Sequence, residues 1–394
     1  MKRLRYGLDL LKLLLAKSLS PIMKVNELYR DIWLVGERNT EAQDNGYHFF
    51  KYVREHYPEK QVYYIIKKNS RDYAKIKNLG NVIEYESLKH YLFYVMSTKL
   101  VCAHVASCVP DSPVCWKLYN SEMKSKKKIF IQHGITKELI PSLMYSTLRA
   151  DLFVCGAKPE YDFVKKHFGY PKGNVQYLGF PRFDNLHVNI SKNQILVMPT
   201  WRQWISGQTW KSESVENSRA IFLKSEYFNR YNDFIHSTKL SDLLEKYNLN
   251  LVFYPHYEMQ GYVDLFTSSL DRITIASNDK YDVQTLLKES RILITDYSSV
   301  AFDFAYMRKD VIYYQFDESI YYQQHYNKGY FDYRSYGFGP VVNKLEELEM
   351  YLGQMLEGSI GNRYKDRADK FFQIHDTKNC ERIYSVIDNL RKSC

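Results

Sequence analysis

The chain has 394 residues, 45% hydrophobic and 25% charged, which excludes intrinsic disorder and suggests two or three domains. A net charge of +10 favours a polyanionic partner: nucleotide, nucleic acid, phosphopolymer or acidic membrane. Aromatic residues reach 16%, with 36 tyrosines, an excess that suits large, partly wet grooves or interfaces. The six cysteines (102, 108, 115, 155, 380 and 394) form no CxxC pair and no zinc-ligand spacing, so reduced, cytosolic thiols are expected.

Residues 1–28 come first. Asp9, Lys12 and Lys17 interrupt the apolar run, no small-residue cleavage site follows, and the segment is too short and charged to span a bilayer. Wound as a helix, it places Leu4, Leu8, Leu11 and Leu15 on one face, with Leu14 beside them and basic residues elsewhere. Such a helix can lie on an anionic membrane surface or pack on its own domain. From residue 29 to about 190, apolar segments at 31–36, 61–66, 81–85, 98–104, 127–134, 151–156 and 174–180 alternate with helical patterns such as 46–57 and 158–169. That alternation predicts βαβ units and a parallel sheet. After a polar joint near 184–193 the rhythm restarts, with strands at 194–201, 250–256, 273–277, 291–297 and 310–317. Helices are expected over about 217–247 and 282–290. The polar stretch 206–218 reads as a loop or lid, and residues 346–394 as two or three separate helices with a basic end. The fold class is therefore α/β, with two doubly wound halves at 29–190 and 191–345.

In such sheets ligands collect beyond the carboxyl ends of the strands. Five strand ends hold the chain's most suggestive polar residues: QHG (132–134), GFPRFD (179–184), PTWRQW (199–204), YPHY (254–257) and TDYSS (295–299). In TDYSS, Asp296, Ser298 and Ser299 open a helix. A capped turn accounts for that pattern, and so does a phosphate held by the same N–H groups, to which the second hydroxyl adds a donor. Asp303, between Phe302 and Phe304, needs a partner if buried. His133 follows an apolar strand and precedes a glycine. Lys137, four residues on, could hold an anion near its imidazole, and histidine is the natural base near neutral pH. His256 and Arg202 end two successive strands, and arginine grips phosphate oxygens in pairs. The chain lacks GxGxxG, GxxxxGK[ST], DxD, HExxH and GxSxG, so no P-loop, dinucleotide site or metal-dependent sugar transfer is supported.

Taken in order, QHGITK (132–137), GFPRFD (179–184), MPTWR (198–202), YPH (254–256), TDYSSVAFDFAYM (295–307), VIYYQFD (311–317) and GP (339–340), with DN (44–45) before them, resemble the CDP-glycerol glycerophosphotransferase family of teichoic-acid primases and polymerases. The resemblance spans roughly residues 30–345. It implies a GT-B fold, two Rossmann-like domains facing across a cleft, and a reaction with no metal and no cofactor beyond the CDP-glycerol or CDP-ribitol donor. It implies an acceptor domain at 29–190 and a CDP-alditol domain at 191–345. By the same resemblance His133 is the base on the acceptor hydroxyl and His256 joins it in catalysis. Arg202, Asp296, Ser298, Ser299, Thr295, Lys137 and Arg182 are expected to bind the donor. Removing Arg202 or His256 should then cost turnover far more than stability, and removing Phe130 the reverse. The acceptor is expected to be a lipid-linked glycerophosphate or saccharide, with the enzyme peripheral at the cytoplasmic face of the plasma membrane. A metal-independent GT-B glycosyltransferase shares most of these features. A nucleic-acid-binding protein fits less well, because Lys and Arg are spread along the chain. The one dense run, KSKKK (124–128), reads as a solvated turn before a strand.

Overall fold

The computed structural model describes residues 2–122, 125–188, 190–210, 214–324 and 328–390. It divides into two compact units. The first comprises the residues up to Thr136, Ile140–Asn185 and the segment from Ile374 onward; the second comprises Lys137–Leu139 and Leu186–Gln373.

The first unit is built on seven strands: β1 (Trp33–Gly36), β2 (Val62–Ile66), β3 (Val82–Glu84), β4 (Lys99–Cys102), β5 (Lys127–Phe130), β6 (Leu152–Cys155) and β7 (Val175–Tyr177). They pair in the order β3-β2-β1-β4-β5-β6-β7, all parallel. Strand order reverses between β1 and β4, so the switch point lies beyond Gly36 and Cys102. The second unit has six parallel strands: β8 (Gln194–Val197), β9 (Asn250–Phe253), β10 (Ile273–Ile275), β11 (Ile292–Thr295), β12 (Asp310–Tyr314) and β13 (Val341–Val342). Their order is β10-β9-β8-β11-β12-β13, with the switch between β8 and β11. Strands such as β1, β2, β8 and β11 are buried along their whole length, because helices cover both faces of a parallel sheet. Both halves are thus Rossmann-like, as the alternation of apolar runs and helical patterns predicts.

Two local expectations are corrected and two are made more specific. The stretch 206–218 is no loop where it is described: helices Gln203–Trp210 and Val215–Leu223 take up most of it, and residues 211–213 lie outside the described part. The block 217–247 is three helices, Val215–Leu223, Glu226–Ile235 and Thr238–Lys246. Ser214, Ser225 and Ser237 each accept an N–H of the following turn and so begin a new helix. The basic run is not a solvated turn over 125–128, and residue 124 lies outside the described residues. Lys126 and Lys128 are buried, with their ammonium groups donating to the carbonyls of Val95, Ser97 and Leu148, while Lys127 pairs with Asp151. The C-terminal helices do not form a separate block. Leu345–Leu356 and Arg363–Phe371 belong to the second unit, and Asn379–Asn389 returns to the first.

That return is anchored by the GFPRFD segment. Asp184 accepts the N–H groups of Asn379 and Cys380, capping the last helix. Gly179, at φ +80°, leaves room for Asn379, whose Oδ1 would lie 1.7 Å from an added Cβ.

The first helix, Lys2–Met23, packs on the helix Leu88–Met96 through Leu13 and Ala16, with Asp9 accepting the Tyr91 hydroxyl. Lys12 donates to the Glu86 carbonyl and Arg5 pairs with the Glu86 carboxylate. The opposite face, Leu8, Leu11, Leu14, Leu15, Leu19 and Ile22, is exposed, reaching 69% at Ile22. No described helix is long and apolar enough to cross a membrane.

Candidate active site

In the first unit, the sequence builds an unusual turn after β5. Gln132 takes a left-handed φ of +56°, which costs a non-glycine residue about 1 kcal/mol and needs outside support. Its amide supplies that support: Nε2 donates to the Val154 carbonyl (2.6 Å) and to Glu160 (3.0 Å), while Oε1 accepts the Thr136 hydroxyl (2.6 Å). Glu160 is buried and also accepts the backbone N–H groups of Thr136 and Gly156. Desolvation pushes its carboxyl up to about 7 against the pull of those donors. From the other side, Asn45 donates to the carbonyls of Ile131 and Gln132 (3.2 and 2.8 Å). Arg182 donates to the carbonyl of His133 (2.9 Å) and pairs with Asp44 (2.8 Å). Asp44 caps the helix Asn45–His56, and its loop hangs on the buried Glu37, which accepts the N–H groups of Gln43, Asp44 and Tyr47. Desolvation, then the neighbouring Asp44, pushes Glu37 up to about 8.

The product of this clamp is one exposed imidazole. His133 donates one ring N–H to the carbonyl of Ala103, which leaves its other nitrogen to accept a proton. Desolvation by the surrounding chain lowers its pKa; Asp44 opposes this, and Arg182 and Arg38 reinforce it. The ring is therefore neutral and basic near pH 7. His104, just past β4, stacks against it with centroids 4.6 Å apart and planes 12° off parallel.

Arg182 does not face a ligand. It is 6% exposed, bound to Asp44 and the His133 carbonyl, and its place is behind the loop. Lys137 likewise is not a loose cation. It lies in the second unit, buried and paired with Glu138, its carbonyl accepting Tyr330 N–H.

In the second unit the exits of β8 and β11 share a buried ion cluster. Arg202 is fully buried, 2.8 Å from Asp296 and gripping Asp317 through Nε (2.6 Å) and Nη2 (3.2 Å). The rings of Tyr297, Tyr227 and Tyr321 lie 5.1–5.5 Å from its guanidinium. Its expected contact with pyrophosphate is thus corrected: two carboxylates already occupy the guanidinium. Asp296 is equally committed, accepting the N–H groups of Thr200 and Tyr297. Thr295 is buried, its hydroxyl donating to the Met198 carbonyl (2.7 Å). These three hold the turn; they do not line it.

Ser298 and Ser299 differ. Both are half-exposed at the start of the helix Val300–Tyr306, and Ser299 makes no side-chain cap bond. Asp303, by contrast, is buried inside that helix. His256 is half-exposed past β9, its Nδ1 accepting the N–H of Glu258 (3.2 Å) and its ring beside Trp201. Among the described residues no group of three or more His, Cys, Asp or Glu side chains could hold a metal ion. His104, Glu37, Glu160 and Asp317 were missed by sequence reading. A lone buried Arg202 should have called for the carboxylate at 317, whereas nothing local marks Glu37 or Glu160.

Known proteins share the family and the fold of this chain. The profile of the family described as CDP-Glycerol:Poly(glycerophosphate) glycerophosphotransferase matches residues 22–389. The minor teichoic acid biosynthesis protein GgaB of Bacillus subtilis (strain 168) is 37% identical over 363 residues, 91% of this chain and 40% of that protein. The teichoic acid glycerol-phosphate primase of the same organism is 26% identical over 61% of this chain and 58% of its own length. The chain therefore spans roughly half the length of these relatives, or less. A solved structure of the wall teichoic acid polymerase TagF, soaked with CDPG, superposes with a TM-score of 0.66 at 17% identity, covering 91% of this chain and 88% of that one. The shared fold is GT-B.

Proposed function

Because the chain belongs to the CDP-Glycerol:Poly(glycerophosphate) glycerophosphotransferase family, we propose that it transfers glycerol phosphate from CDP-glycerol to an acceptor hydroxyl and releases CMP, in the synthesis of teichoic acid or a related polymer. The observation that carries the reading is His133, an exposed, neutral imidazole with one nitrogen fixed by Ala103 and the other open. The acceptor oxygen attacks the phosphorus that bears glycerol, and its proton passes to the open nitrogen of His133. The bond from that phosphorus to the bridging oxygen breaks, and CMP leaves with that oxygen. Negative charge grows on phosphate oxygens throughout, so fixed donors do most of the remaining work. The half-exposed hydroxyls of Ser298 and Ser299 suit the donor's phosphates, and His256 lies past β9 in the same unit. Arg202 acts from beneath, holding the turn through Asp296.

In this reading no divalent ion takes part. CMP release from CDP-glycerol, measured with a glycerophosphate-primed lipid acceptor, should persist in EDTA and fall by about 10²–10⁴ in His133→Ala. An unchanged rate in that variant removes His133 from the role of base. CDP-ribitol replacing CDP-glycerol as the faster donor would reassign the alditol without altering the chemistry.

The acceptor is proposed to be lipid-linked and met at the cytoplasmic face of an anionic membrane. The outward leucine stripe of the first helix supports this, since its apolar face is left uncovered.

A further inference from the structure

His104 has no place in the mechanism above, yet it lies at the switch point of the first sheet, where ligands gather in doubly wound folds. It lies two residues past the end of β4, and its neighbour Ala103 is the residue that accepts the His133 N–H. The two rings stack at 4.6 Å. Stacking alone would be satisfied by any flat ring. A second observation is harder to explain by packing: Nδ1 of His104 is buried and has no hydrogen-bond partner among the described residues. A buried polar atom without a partner is costly, and at a functional site the missing partner is commonly a ligand.

We propose that His104 is a substrate-binding residue, whose Nδ1 hydrogen-bonds to an oxygen of the acceptor (a hydroxyl or a phosphate oxygen) held beside His133. Two imidazoles then address one substrate: His133 takes the proton and His104 fixes the neighbouring oxygen. This rests on the glycerophosphotransfer reading for the identity of the substrate, but not for the unpaired nitrogen.

Two variants separate binding from stacking. His104→Phe keeps the flat ring and loses the nitrogen, whereas His104→Asn loses the ring and keeps a polar group near the position of Nδ1. Acceptor KM, kcat and the CDP-glycerol Kd would be measured for each, with folding checked by thermal unfolding. The expected result is an acceptor KM raised about tenfold in His104→Phe, with kcat within about threefold, CDP-glycerol Kd unchanged, and His104→Asn close to wild type. A His104→Phe enzyme equal to wild type overturns the proposal, as does equal loss in both variants. Imidazole nitrogen NMR with sn-glycerol 3-phosphate supplies a readout independent of turnover. A shift at His104 Nδ1 is expected, and no shift at saturating ligand contradicts it. If wild type releases no CMP at all, the functional reading fails while this titration still decides the role of His104.

Discussion

His133 shows how much one side chain owes to groups that never meet a substrate. Its basicity is set first by desolvation, then by Asp44, Arg182 and Arg38 acting against one another. Its net pKa lies below the ordinary 6.5, so lowering the pH should leave the base functional until below that value. The acidic limb of kcat/KM should thus fall below pH 6.5, with activity lost as the ring takes a proton, and should vanish in His133→Ala. An inflection above 6.5 would contradict the lowered pKa. Arg202 reverses the expectation drawn from sequence. Removing it strands two buried carboxylates, so Arg202→Leu should lose about 3–5 kcal/mol in chemical denaturation, whatever it does to turnover. The residue type was legible and its burial was not, because Asp317 becomes a partner only once β12 lies beside β11.

At the scale of elements, the strands could be read because parallel strands covered on both faces must be apolar along their length. β13, two residues long, carries no period to read. Its path depends on Gly339, where a Cβ would sit 1.7 Å from the Val311 carbonyl. The stretch 206–218 misled for a related reason. Its polar residues suggested a loop, yet Ser214 is a helix cap, and capping residues and loop residues are the same types. The turn after β5 depends on Glu160 from another helix. Glu160→Gln would set an NH₂ group against backbone donors, so we expect a loss of about 1–3 kcal/mol in unfolding free energy, measured by urea titration. Ser298→Ala and Ser299→Ala should behave oppositely. Each should weaken CDP-glycerol binding several-fold by calorimetry with the unfolding midpoint unchanged, since these half-exposed hydroxyls support little structure.

For the molecule as a whole, the N-terminal helix follows the reading in which it packs on its own domain. One face packs on the first unit through Leu13 and Ala16, and the leucine face stays outside. Sequence periodicity located the stripe but could not say which way it turned, because Asp9, buried on the packed face, reads as a surface charge until Tyr91 meets it. Leu11→Asp combined with Leu15→Asp should reduce cosedimentation with anionic phospholipid vesicles at least tenfold and leave thermal stability within a degree or two. Equal sedimentation by the variant would remove this helix as the contact. The GT-B fold and the family were legible through ordered short motifs. The division of labour inside them was not, since Arg182, Lys137, Arg202, Thr295 and Asp296 are buried while His133, His256, Ser298 and Ser299 are exposed or half-exposed.

The central claim is transfer of an alditol phosphate, with His133 as base. The most direct measurement uses CDP-glycerol labelled in the glycerol, a glycerophosphate-primed lipid acceptor and EDTA. The account predicts label in the acceptor and one CMP released per label transferred, both lost in His133→Ala. Label remaining in free glycerol phosphate, transfer abolished by EDTA, or a His133→Ala enzyme as fast as wild type would contradict it.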